Sequence, residues 1–137
     1  MEIEYTKGWK YQLARSCKTK TPVTGYDIVN DYFHLHSNGD LEVFKGYAWD
    51  GASGPTFDTK SSMFPSMIHD VFCQCMRDGS ISYDAWQDTI NKLFEAHCKA
   101  CGMFEARVAI WYLGVEIGDA GNPEQGPDRE ILTAPAV

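Results

Sequence analysis

The 137 residues, 44% of them hydrophobic and 13% aromatic, are enough for one sizeable buried core and too few for two. A formal net charge of -7 would repel phosphate backbones and anionic lipid, so nucleic acid is not an expected partner. The opening Met1–Glu4 lacks the basic stretch and apolar core of a secretion signal, and the longest apolar run, Val108 to Val115, is too short to span a bilayer. The expectation is therefore no signal peptide and no transmembrane segment, with Cys17, Cys73, Cys75, Cys98 and Cys101 as reduced thiols.

In chain order, Met1 to Tyr5 is a weak strand candidate and Trp9 to Arg15 a better one. Tyr32 to His36 and Leu41 to Phe44 flank Ser37-Asn38-Gly39-Asp40, a β-rich pair around an Asn-Gly turn. Trp49 to Pro55 is turn chemistry, with Gly51 and Gly54 allowing backbone conformations that a side chain would block. Helical spacing then begins. Phe64, Met67, Ile68, Val71, Phe72 and Cys75 predict a helix over 63–76, with Pro65 tolerable in its first turn. Ser82 can cap a second helix with Trp86, Ile90, Leu93, Phe94, His97 and Cys101 on one stripe, ending at Gly102. Phe104, Val108, Trp111 and Val115 predict a third, to about Ile117. The expected fold class is α+β: a small N-terminal antiparallel β region (1–48), a loop (49–62) and three packed helices (63–118). These form one globular domain, 1–118, with an extended C-terminal tail, 119–137.

One constellation carries chemistry. His69 and Asp70 fall beside the apolar stripe of the first helix, and Asp50 sits in the glycine-rich turn that a short connection could bring against it. Neighbours on a helix point about 100° apart, so Asp70 can bind a cation while His69 faces a substrate. Calcium prefers carboxylate and carbonyl oxygens, both of which a glycine-rich turn with an aspartate offers. A half-buried histidine beside a solvated aspartate is the bland alternative.

Trp49-Asp50-Gly51-Ala52-Ser53-Gly54-Pro55, Phe64, Ile68-His69-Asp70, Asn91-Lys92-Leu93-Phe94, Trp111-Tyr112 and Gly118 follow one another in an order that resembles the domain-of-unknown-function family 1353 of phages and bacteria. That resemblance implies a bacteriophage protein, made in the host cytoplasm and released at lysis or carried in the virion. The Asp-Gly-x-Ser turn followed by a helical His-Asp is similar to the short secreted phospholipases A2 of bacteria and fungi. It implies His69 as general base for a water, with Asp50, Asp70 and the Gly51 carbonyl as calcium ligands. Where those enzymes support the histidine with an aspartate on the antiparallel helix and a tyrosine one turn on, this chain has Asn91 and Cys73. Asparagine can still fix the ring's tautomer but brings no charge. Ala52 and Ser66 replace the family's disulfide cysteines.

Other groupings carry less. Cys73, Cys75, His97, Cys98 and Cys101 could make a zinc site between two helices, although buried free cysteines are ordinary core residues. His34 and His36 share the polar face of a strand, where solvation is the commoner role. The tryptophans read as core, with Trp49 the best placed to line a cleft, and Glu95 and Glu105 read as solvated charges. The expected function is metal-dependent, phospholipase A2-like ester hydrolysis with catalytic His69 and Asn91 and a calcium cofactor. The alternatives are a phage lysis enzyme, an endolysin cleaving peptidoglycan with zinc at Asp50, His69 and Asp70, and a non-catalytic phage accessory or virion protein. The corresponding partners are lipid or peptidoglycan substrate.

Overall fold

Alternating apolar and polar residues build the N-terminal half into short antiparallel strands, and helical periodicity builds the rest, an α+β fold with three helices. The computed structural model describes residues 11–49, 60–119 and 121–123, without the side chains of residues 60 and 61. Two compact units divide the chain, Met1–Asp50 with Ile131–Val137, and Gly51–Glu130. The candidate strand Met1 to Tyr5, Trp9, and the turn residues Asp50 and Gly51 lie outside the described residues.

In the first unit, β1 (Tyr11–Gln12) pairs with β6 (Ala48–Trp49). A second sheet runs in the order β2 (Cys17–Lys20), β5 (Asp40–Val43), β4 (Phe33–Leu35), β3 (Ile28–Val29), antiparallel throughout. The registers Phe33↔Val43 and Leu35↔Leu41 put four buried side chains on one face, while His34, Glu42 and Lys18 line up on the other. The Asn-Gly hairpin joins β4 to β5 as expected. Its form is a three-residue loop closed by His36 N–H on Asp40 O and Gly39 N–H on His36 O, with Gly39 at φ 96. A Cβ on Gly39 would collide with the carbonyl of Thr21, whose own N–H and hydroxyl donate to Gly39 O. Of the strand expected over 9–15, the described residues 11–15 show β1, which ends at Gln12. Trp49 is buried among core aromatics, 5.7 Å from Tyr11 and 6.3 Å from Tyr47 between ring centroids.

The second unit holds α1 (Lys60–Arg77), α2 (Tyr83–Ala100) and α3 (Glu105–Gly118). Helix α1 starts three residues before the expected position, so Pro65 sits in its second turn and forgoes one backbone bond. Ser82 caps α2 as expected, its hydroxyl accepting from Ala85 N–H. Gly102 at φ 89 ends that helix in a Schellman arrangement, with Met103 N–H on Cys98 O and Gly102 N–H on Lys99 O. The buried stripe of α2 is Ile90, Asn91, Phe94 and Cys98; His97 is half-buried and Cys101 exposed, so the expected stripe is turned by one position. Phe94, Cys98, Met103, Val108 and Trp111 form one core cluster, and each large side chain in it contributes roughly 2 kcal/mol of transfer free energy. Beyond α3, Asp119 adopts the left-handed conformation, and Gly121 lies against α1, where a Cβ would have to displace the end of the Met76 side chain. The start of the expected tail is thus turned back onto α1. Among the described residues no helix is long and apolar enough to cross a membrane.

Candidate functional site

The three helices share one polar network that runs from the buried His69 and Asn91 out to Glu116 at the surface. His69 stands mid-way along α1 and Asn91 mid-way along α2, and both are buried. His69 Nε2 lies 2.7 Å from Asn91 Oδ1, and Asn91 Nδ2 donates to Glu116 Oε2 of α3 over 2.6 Å. A carboxylate can only accept, so the bond to Glu116 fixes the Asn91 amide with its oxygen toward the ring. Nε2 must then carry the hydrogen, and in the neutral ring Nδ1 keeps the lone pair. Cys73, one turn after His69, places Sγ 3.5 Å from Nδ1, where its thiol can donate. Phe94 completes the surround, its ring centroid 5.1 Å from that of His69.

Burial of the ring holds the His69 pKa below its ordinary value of 6.5, against the opposing pull of the Asn91 hydrogen bond and the Glu116 charge. A neutral imidazole at pH 7 with a defined tautomer is the state a general base needs. His69 as a residue keeps 9% of its exposure, so an approaching water has little room, and the position it would take at Nδ1 is held by Cys73. Asp70, the next residue, is half-buried. Its partners in the expected cation site, Asp50 and the Gly51 carbonyl, lie outside the described residues.

The pairing of His69 with Asn91, and the position of Cys73 one turn on, match the sequence expectation residue by residue. Glu116 was not expected. Its signal was present, because a carboxylate in the last turn of a helix opposes the helix dipole and needs a compensating partner.

The other groupings do not assemble. Among the described residues no three His, Cys, Asp or Glu side chains gather as metal ligands. Cys73, Cys75, His97, Cys98 and Cys101 follow the core reading over the zinc one: Cys75 and Cys98 are buried, which pushes both thiols up to about 12, and Cys101 is exposed. His97 packs edge-on against Phe64 at 4.8 Å between centroids, and among the described residues no group bonds its buried Nδ1. His34 and His36 stack on each other at 3.6 Å, with His34 Nε2 2.9 Å from Asp27 Oδ1. Glu95 pairs with Lys99 on the helix surface, as a solvated charge would.

No protein family, curated protein or solved structure matches the chain.

Proposed function

We propose that the helical unit is the general-base site of a metal-dependent hydrolase acting on esters in the manner of a phospholipase A2. The observation that carries this reading is the fixed tautomer of His69: Glu116 orients Asn91, Asn91 takes the Nε2 hydrogen, and Nδ1 is left as the base. In the reaction, Nδ1 takes a proton from water, the oxygen adds to the ester carbonyl, and the proton returns to the alkoxide as the C–O bond breaks. Asp70 would supply one hard oxygen ligand suited to calcium, which when bound would polarise the ester carbonyl. The resemblance to domain family 1353 would make the chain a phage protein, with phospholipid and peptidoglycan as the two substrates to try.

A second reading has its own observation. Cys73 sits against the base nitrogen of a buried ring, the arrangement of a histidine that ties three helices together without catalysis. The two readings separate in one set of measurements. Calcium should raise the melting temperature of the wild type and not that of Asp70→Asn, by linkage. Fluorescent phospholipid should then be hydrolysed by the wild type and not by His69→Ala, and Cys73→Ala, which opens Nδ1, should be faster than wild type. No response to calcium or zinc and no turnover of phospholipid or peptidoglycan would leave the helix-tying reading standing.

A further inference from the structure

Helix α3 is apolar around most of its circumference, and only one side faces the core. Val108 and Trp111 are buried there, with Val115 packed partly against the same cluster. At about 100° per residue, Ala106, Ala109, Ile110, Leu113, Gly114 and Ile117 fall together on the opposite side, an arc of about 140° without a charge. Ile110, Leu113 and Ile117 keep 52%, 58% and 74% of their exposure, and Phe104 just before the helix keeps 83%. Scattered single apolar residues on a surface need no explanation, but a contiguous stripe on a helix that is already apolar elsewhere does.

We propose that this face pairs with the same face of a second copy of the chain, the two α3 helices packing in parallel about a two-fold axis. The flanking charges select that occupant and that direction. Glu105 and Glu116 run along one edge of the arc and Arg107 along the other. In a parallel two-fold pair the opposite edges of the two helices meet, so Arg107 of each copy faces Glu105 of the other, about 3 Å apart along the axis. Antiparallel packing would set the acidic edges against each other. The guanidinium already lies over the Trp111 ring, 5.5 Å from its centroid, at that edge of the arc. At Gly114 nothing lies within 4 Å of the Cβ position, so a facing helix can come close. A net charge of -7 and two edge glutamates make an anionic lipid surface the poorer occupant. The exposed side chains offer roughly 500 Å² per copy, about 1,000 Å² in a pair, at the lower limit for a specific interface. The dimer is accordingly weak and concentration-dependent.

Sedimentation velocity of the full chain between about 10 µM and 1 mM should show the mass moving from one chain toward two. Leu113→Glu should raise the dissociation constant at least about tenfold while leaving the circular-dichroism melt unchanged, since the side chain is exposed. Glu105→Arg should weaken the dimer several-fold, and the double exchange Glu105→Arg with Arg107→Glu should restore it. A chain that stays monomeric over the whole range overturns the proposal, including one that instead floats with phosphatidylcholine vesicles. So does a dimer indifferent to Leu113→Glu, and a dimer tightened by Glu105→Arg has the antiparallel arrangement and refutes the parallel one.

Discussion

His34 on the sheet and His69 in the helices each have a side-chain oxygen within 3 Å of Nε2, yet they are different chemical objects. The partner of His34 is a full carboxylate, Asp27, at 2.9 Å, but the pair is open to water, with 28% and 73% of the two side chains exposed. The partner of His69 is a neutral amide at 2.7 Å, closed off by Phe94 and Cys73, with the charge of Glu116 one residue further away. Water screens the first pair. In the second, burial and a one-way chain of donors select a neutral ring with its proton on Nε2. Partner identity thus matters less than enclosure, which is why the weaker partner defines the better candidate site.

The sharpest way to break this comparison is to delete each ring. His69→Ala leaves a cavity and strands Asn91 Oδ1 without its donor, so unfolding in urea should show a loss of about 3 kcal/mol. His34→Ala removes an exposed pair and should cost less than about 0.5 kcal/mol. Equal losses would mean that the helical network is no more enclosed than the sheet pair. Asn91→Asp comes next. It sets a carboxylate against Glu116, so the variant should be about 1–2 kcal/mol less stable than wild type at pH 8. The deficit should shrink as pH falls, because the raised carboxyl pKa lets one group take a proton and donate to the other. The charge now touching His69 should also raise the ring's pKa in an NMR titration, and a ring pKa that does not move would show that it does not sense position 91.

Much of this was legible in the sequence, and the reasons differ from place to place. The hairpin could be read because Asn38-Gly39 lies between runs of period two, and the Ser82 cap because serine directly precedes a helical stripe. Asn91 could be placed opposite His69 only through resemblance, since a lone polar residue on an apolar stripe does not reveal its partner across a helix pair. The stripe of α2 was turned by one position because His97 and Cys101 fit the period as well as Asn91 and Cys98 do, and packing against two other helices decided between them. The ends of α1 escaped for a local reason: Pro65 reads as a first-turn residue, whereas the helix starts early enough to absorb it in the second. Trp49 was expected in a cleft because of its neighbour Asp50, while its own side chain packs with Tyr11 and Tyr47.

The smallest expected effect tests whether the network carries charge as well as shape. Glu116→Gln keeps an oxygen to accept from Asn91 Nδ2, so the amide and the His69 tautomer should stay as they are, and the stability cost should be below about 1 kcal/mol. Only the negative charge is lost, and that charge opposes the effect of burial on the ring. The folded-state pKa of His69, already below 6.5, should therefore fall further. The sign of the stability effect follows from linkage. With a folded pKa below the unfolded one, the neutral ring's contribution is complete above about pH 6.5 and is lost as pH falls toward the folded pKa. In Glu116→Gln that loss should extend to lower pH than in the wild type. If the His69 ring titrates at the same pH in the wild type and in Glu116→Gln, Glu116 serves the site only as a hydrogen-bond acceptor, and enclosure alone sets the state of the ring.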